Sequence, residues 1–442
     1  MEKKKFGIVL PIVLFTYFII LLDNSIVFTG TVQIAQGLNL SVRELSWVSN
    51  AYVLTFGGLL LAMARAGDLF VRKKIFISGL VIFALGSLAV GMANSALTII
   101  FSRAFQGIGS AILAPSTLAI IMDNYQGQQR NQAIAYYGAT AGIGGIAGLI
   151  LGGWIIQTFS WRVGFLINVP IAIVVAIIAL AFIPRVKGQN GQLDYAGMLL
   201  SVLAMSSLVY GIVGTVWQQW FLGFSILAFI VLYFVEKNNK NPLVPLSLFD
   251  DRQRWGAYLA RFIFMGAIFS YWFLTPQAMQ NVLGFTSMMA GLAFIPMSIP
   301  QFILSMQVSK LTQRYGNTMV MMWGLIFCLL GLLVPSLVPL SYGYWLTMAL
   351  PMVLLGIGQG LALSPLTVAG VANTKAYISG AASGMVNTTH QIGSSVGLSI
   401  IIALTANMKL PAMQYQHALW IISIFMLMAI IIAWLVIRPI EK

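Results

Sequence analysis

Charge is scarce in this 442-residue chain, with Asp, Glu, Lys and Arg together making up 8% of it, against about a quarter in soluble domains. No polar stretch is long enough for a water-soluble domain, which excludes a cytosolic enzyme and a receptor with a large ectodomain. Cysteine is nearly absent: Cys328 stands alone in an apolar stretch, so no intrachain disulfide can form. With two histidines and ten acids in all, no metal-ligand cluster is spelled out, and no paired acid/base or nucleophile constellation marks an enzyme. There is no phosphate-binding loop of the ATPase type. The glycine-rich runs Gly142 to Gly153 and Gly356-Ile357-Gly358-Gln359-Gly360 follow no strand and lie inside apolar segments, so they read as close helix contacts rather than nucleotide fingerprints. No cofactor is expected.

What the chain has instead is 59% hydrophobic residues and a mean hydropathy of +0.91. The apolar runs are continuous, unlike the alternation of a membrane β-barrel, and the expected fold class is an all-α polytopic membrane protein. A hydrocarbon core of about 30 Å needs about 20 residues of helix. Runs of that length fall near 7–30, 46–64, 75–93, 97–122, 132–157, 164–184, 195–216, 219–236, 255–278, 286–309, 317–337, 344–367, 378–405 and 416–437, giving fourteen transmembrane helices. The segment after Lys3-Lys4-Lys5 runs on to about Thr29 without a small-residue cleavage site, so it reads as an uncleaved first helix.

The formal charge of +14 does not imply nucleic acid. Of the 24 Lys and Arg residues, nineteen fall on the face that carries the termini, only Arg43, Arg162 and Lys409 on the other, and Arg103 and Arg261 within spans. By the positive-inside rule both termini are expected to be cytoplasmic; the expected location of this multi-pass protein is the plasma membrane, as the cytoplasmic membrane of a bacterium. A shift of 245 positions carries Gly148 onto Gly393, Gly152 onto Gly397 and one basic loop onto another. Spans 1–6 therefore correspond to 9–14, and the expected units are a six-helix bundle over 1–190, two inserted helices with a polar linker over 191–254, and a second six-helix bundle over 255–442.

Several ordered motifs resemble the 14-helix drug:proton antiporter branch of the major facilitator superfamily. Leu22-Asp23-Asn24-Ser25-Ile26-Val27 resembles its first-helix signature. Arg65-Ala66-Gly67-Asp68-Leu69-Phe70-Val71-Arg72-Lys73-Lys74 resembles the loop motif between spans 2 and 3, departing at Leu69 and Val71. Arg103-Ala104-Phe105-Gln106-Gly107-Ile108-Gly109 is similar to the span-4 motif, and Gly144, Gly148, Gly152 and Gly153 to the antiporter motif of span 5, with Leu149 where a proline is usual. Trp161-Arg162 and Phe165-Leu166-Ile167-Asn168-Val169-Pro170 are also typical of the branch. The resemblance implies the major facilitator fold and proton-coupled efflux of lipophilic drugs by alternating access, working as a monomer with drug, protons and bilayer as partners. An exporter of one native metabolite or lipid, or a scaffold or receptor that no longer transports, remains open.

Asp23 is the one acid well inside a span. Insertion of a carboxylate costs about 2.5–3.5 kcal/mol, so such a residue is normally functional and faces the bundle interior. It is expected either to bind and release the coupling proton or to serve as a permanently ionised partner of Arg103. Rise per residue places Asp23 about 10 Å and Arg103 about 9 Å below the outer surface, so the two should communicate directly or through Gln106, the arginine tuning the acid's proton affinity. His390, near the middle of span 13, is either a second titrating group or a neutral imidazole bonded to a neighbouring helix. Resemblance implies that Asp68, Arg72 and Lys73 form a conformational latch, where Lys73 and Lys74 also serve topology. Arg261 is expected to snorkel from the inner end of span 9. By family analogy Tyr52, Phe264, Phe269, Trp272, Gln277, Gln359, Asn387 and His390, with Met297 and Met306, line an adaptable apolar substrate pocket. A single membrane carboxylate suits monovalent, zwitterionic or neutral compounds better than dications.

Overall fold

The computed structural model describes residues 6–186, 192–239, 242–374 and 378–437. Lys3, Lys4, Lys5, Lys187, Lys240, Lys375, Arg438 and Lys442, among the basic residues counted above, and Glu2 and Glu441 lie outside the described residues. Among the described residues there is no strand. Thirteen helices are long and apolar enough to cross a membrane: α1 (Val9–Leu38), α2 (Val42–Leu69), α3 (Arg72–Gly91), α4 (Ala96–Asn124), α5 (Gly127–Thr158), α6 (Trp161–Phe182), α7 (Tyr195–Val213), α8 (Gln218–Asn238), α9 (Arg252–Asn281), α10 (Ser287–Tyr315), α11 (Asn317–Leu337), α12 (Trp345–Gly370) and α14 (Pro411–Ile437). The fourteenth, α13 (Ser379–Thr405), has the length but is rich in Ser, Thr and amide side chains.

Local chemistry sets the ends. Ser41 and Glu44 form a reciprocal capping box at the start of α2, and Ser95 with Thr98 does the same for α4. Asp194, Asp251 and Thr286 cap α7, α9 and α10. Helix α1 outlasts its apolar run: it continues past Gly30 to Leu38 and stops at Asn39 in the left-handed region (φ 53°), whose N–H returns to the Ala35 carbonyl. The extra turns pack against protein, with Ile34 in the apolar core and Gln33 bonded to Gln280 of α9 at 3.0 Å. Helix α6 breaks at Ile167, where Pro170 cannot donate and crowds the carbonyl four residues back.

The helices pack as two six-helix bundles with one plan. α1 lies on α5, α4 on α2 and α3, and α3 on α6; eight helices later α9 lies on α13, α12 on α10 and α11, and α11 on α14. The α7–α8 hairpin stands outside and covers the seam between α2 and α13, where Leu54, Val209, Ile392 and Val396 share an apolar cluster.

The bundles meet along α2 and α13, α5 and α10, and α1 and α9. Polar contacts between them lie toward the face opposite the chain termini, whereas Gly384 of α13 packs on Leu61 of α2 in the other half. A Cβ on Gly153 of α5 would lie 2.5 Å from the Ser287 carbonyl at the start of α10, Gln280 donates to the Thr29 carbonyl at 3.1 Å, and the Met288 N–H donates to Gln157 at 3.3 Å. Asn50 of α2 exchanges hydrogen bonds with Ser399 (2.9 Å) and Ser395 (3.0 Å) of α13. These hydrogen bonds tie the bundles together at the face opposite the termini.

Candidate functional site

The charged cluster of the first bundle is built by close helix approach. Gly86 of α3 has no room for a side chain, because a Cβ there would lie 2.6 Å from the Cα of Gln106 on α4. A Cβ on Gly107 would meet the Tyr52 carbonyl of α2 at 2.5 Å. These two contacts bring α4 against α3 and α2 at the height of Asp23 on α1.

Asp23 is fully buried and accepts three hydrogen bonds: Oδ2 from Arg103 Nη1 at 2.6 Å, Oδ1 from Gln106 at 2.7 Å and from Asn168 at 2.9 Å. Gln106 takes a second hydrogen from Arg103 on its own Oε1 (2.6 Å) and gives one to Ser87 of α3 (2.7 Å). Arg103 also donates from Nε to the Val48 carbonyl of α2 at 3.1 Å, and its guanidinium lies 4.1 Å over the Tyr52 ring. Five helices thus contribute to one buried network centred on a carboxylate–guanidinium pair. Asn168 was missed as a partner of Asp23. Its signal was present in the sequence, since an amide amid the apolar residues of α6 needs a polar neighbour.

At the termini face Arg72 joins two acids, Asp68 at 2.8 Å and Asp123 at the end of α4 at 2.9 Å, and reaches the Gly67 and Ala119 carbonyls. Lys73 stands apart from this network, contrary to the sequence expectation. Its Nζ donates at 2.6 Å to the Leu180 carbonyl at the end of α6, where the helix dipole favours a cation. Asp123 takes the place expected of Lys73 in the network.

The second bundle departs further from expectation. Arg261 does not snorkel: it is 7% exposed. Nη1 donates to the Leu363 carbonyl (2.9 Å) and Thr367 (3.0 Å) of α12, and Nη2 lies 3.1 Å from His390 Nδ1 on α13. A guanidinium can only donate, so His390 accepts on Nδ1 and carries its hydrogen on Nε2 in this geometry.

Three residues expected in the pocket are packed inside the bundles. Tyr52 is buried beneath Arg103 with its hydroxyl on Ser110 (2.7 Å), Phe264 is fully buried, and Gln359 donates to the Met297 sulfur at 3.4 Å. Their height along the helix was readable; the face they occupy was not. Phe269 and Trp272 are half-buried between the bundles, with ring centroids 5.5 and 6.1 Å from Phe28 of α1, and Trp272 stacks on Phe294 at 5.0 Å. Gln277 is half-buried and bonded to the Phe273 carbonyl of its own helix. Met297 is buried and Met306 exposed. Asn387 is exposed, bonded back to the Ser383 carbonyl at 3.1 Å. Among the described residues no group of His, Cys, Asp and Glu could hold a metal ion.

Two bundles of six membrane-length helices in a common plan, with ionised and amide groups buried inside them, define a polytopic α-helical transporter. The family model of the Major Facilitator Superfamily matches residues 13–249 and 257–442, and the chain belongs to that superfamily. It is 31% identical over 399 residues to EfpA of Mycobacterium tuberculosis, named as an uncharacterized MFS-type transporter, covering 88% of this chain and 75% of that protein. It is 31% identical over 405 residues to the cephamycin export protein CmcT of Amycolatopsis lactamdurans, covering 88% and 83%. The fold is shared with the peptide transporter POT crystallised with alafosfalin, at a TM-score of 0.73 and 14% identity over 100% of this chain and 98% of that one. The protein is therefore a multi-pass integral membrane transporter and not an enzyme.

Proposed function

We propose that this protein exports lipophilic drugs in exchange for protons by alternating access, with Asp23 as the proton-carrying group. The observation that carries the reading is the set of partners around that carboxylate. Every polar contact of Asp23 comes from another helix: Arg103 and Gln106 from α4, Asn168 from α6. A proton on Asp23 turns one acceptor oxygen into a donor that faces donors, so at least one of these contacts must break. Arg103 would stay anchored on α2 through Val48 and Tyr52, and α1 would be freed from α4 and α6. Protonation is thereby tied to helix position, which is what coupling requires.

One relative is named as a cephamycin export protein and others as puromycin, multidrug and methylenomycin A resistance proteins, and half-buried Phe269 and Trp272 between the bundles offer aromatic surface for lipophilic compounds. The substrates are monovalent cationic, zwitterionic or neutral, because the interior holds one carboxylate. The working units are residues 1–190 and 255–442, with 191–254 as an accessory hairpin and linker. With the termini in the cytoplasm of a bacterial cell, the conformation described here faces inward. Asp68, Arg72 and Asp123 hold the cytoplasmic end of the first bundle together as its latch. The test is drug tolerance of cells expressing matched amounts of wild type, Asp23→Asn and Asp68→Asn. Tolerance conferred by wild type and lost in Asp23→Asn supports the reading. Equal tolerance in all three and in cells without the protein contradicts it, and favours a non-transporting role.

A further inference from the structure

Arg261 is a buried cation with no acidic partner among the described residues. The described acids lie elsewhere: Asp23 on Arg103, Asp68 and Asp123 on Arg72, Glu44, Asp194 and Asp251 at helix starts, Glu236 on the Val244 N–H, and Asp250 exposed before α9. Only neutral acceptors hold the guanidinium, and its Nε has no partner. Such a charge is costly inside a membrane protein. Arg261 is nine residues into α9, about 13 Å from its start, and its long side chain turns into the bundle instead of out to water.

The surroundings show what this charge borders. Helix α13 is covered on three sides: α2 at Gly384 and Gln391, α9 at Gly393 and Gly397, and α7 at Ile392 and Val396. At about 100° per residue the fourth side, opposite the outer hairpin, carries Ser383, Asn387 and the edge of His390. Ser383 and Asn387 are exposed and His390 partly so. This side faces the space between the bundles, since α7 closes the lipid side. His390 brings an Nε2–H donor to it, and Asn387 brings an amide.

We infer that Arg261, His390 and Asn387 form the recognition site for a single carboxylate on an amphipathic substrate. This rests on the proposed drug-export reading and changes its substrate class, away from simple cations and toward zwitterionic compounds and, beyond the classes given above, acidic ones. The substrate carboxylate would supply the counter-charge that the described residues leave out, with charge-assisted hydrogen bonds from donors already in place.

A matched pair of fluorescent probes tests this: dansylglycine, which has a free carboxylate, and its methyl ester, which has none. Binding is measured to the full-length protein in nanodiscs of phosphatidylcholine, so that no anionic lipid competes. Wild type is expected to bind the acid about tenfold or more tighter than the ester. Arg261→Gln is expected to abolish that preference while leaving ester affinity within about twofold, and His390→Gln to reduce it severalfold. Equal affinity for the two probes in wild type, binding of neither, or an acid preference that survives in Arg261→Gln overturns the inference. The wild-type comparison decides the matter even where Arg261→Gln does not fold. A preference for the acid in a protein that moves neither probe across proteoliposome membranes would leave this site standing and contradict the export reading.

Discussion

Replacing Asp23 by Asn should be among the most destabilising isosteric changes in the first bundle. The substitution removes the negative charge and turns one acceptor into an amide donor, facing Arg103 Nη1 at 2.6 Å, Gln106 at 2.7 Å and Asn168 at 2.9 Å. Arg103, 1% exposed, is left as a buried cation whose remaining partners are the Val48 carbonyl, Gln106 Oε1 and the Tyr52 ring. Breaking a buried ion pair from one side costs about 3–5 kcal/mol, a large part of the roughly 5–15 kcal/mol that holds a typical domain folded. Removing both charges in Asp23→Asn/Arg103→Gln leaves no stranded ion. The double variant should therefore be more stable than the sum of the singles allows, with a coupling of about 2–3 kcal/mol. Reversible unfolding of the four proteins in mixed detergent micelles gives that cycle directly. A loss below about 1 kcal/mol in Asp23→Asn, or strict additivity, would refute the picture of a tightly coupled pair.

Gly86→Ala puts a Cβ against the Gln106 backbone and should cost about 1–3 kcal/mol, together with transport, because α4 must move away from the cluster; an unfolding midpoint unchanged from wild type would contradict this. Asp123→Asn should weaken the hold on Arg72 by no more than about 1 kcal/mol in stability, yet raise the reactivity of a cysteine placed near the inner end of α4, and unaltered labelling speaks against a latch. Gln280→Ala removes the bonds to Gln33 and Thr29 and should shift spin-label distances across the face opposite the termini toward longer values; an unchanged distribution would mean that these amides do not hold that face shut. A Cβ on Gly197 would collide with Asp194 Oδ2 and Glu236 Oε1, two carboxylate oxygens that converge without a hydrogen-bond partner. Glu236→Gln places an amide donor beside the Asp194 carboxylate and should stabilise the protein by about 1 kcal/mol, which a lowered unfolding midpoint would contradict.

Much of this architecture is legible in the sequence because one dimension suffices for it. Hydropathy sets the height of each helix in the membrane, and height alone brings Asp23 and Arg103 to one level; in the structure they lie 2.6 Å apart. The rotation of a helix about its axis is a second coordinate, and an evenly apolar helix carries little sign of it. Tyr52, Phe264 and Gln359 were placed at suitable heights and prove to point into the bundles. Arg261 shows the same limit: a long basic side chain near a helix end can reach water or turn inward, and His390 and the Leu363 carbonyl on two other helices decide it. Lys73 follows the Leu180 carbonyl because α6 ends beside it, a tertiary fact with no local signature. The turns of α1 beyond Gly30 lie past the apolar run because contact with the second bundle replaces the lipid there.

The central claim, that the Asp23 carboxylate carries the coupling proton, is tested most directly by drug-induced proton release from the purified protein between pH 6 and 8, with wild type beside Asp23→Asn. Release of protons by wild type on addition of a lipophilic drug, and none by Asp23→Asn with drug binding retained, is the predicted result. Equal release by both proteins would contradict it and move the proton site away from Asp23.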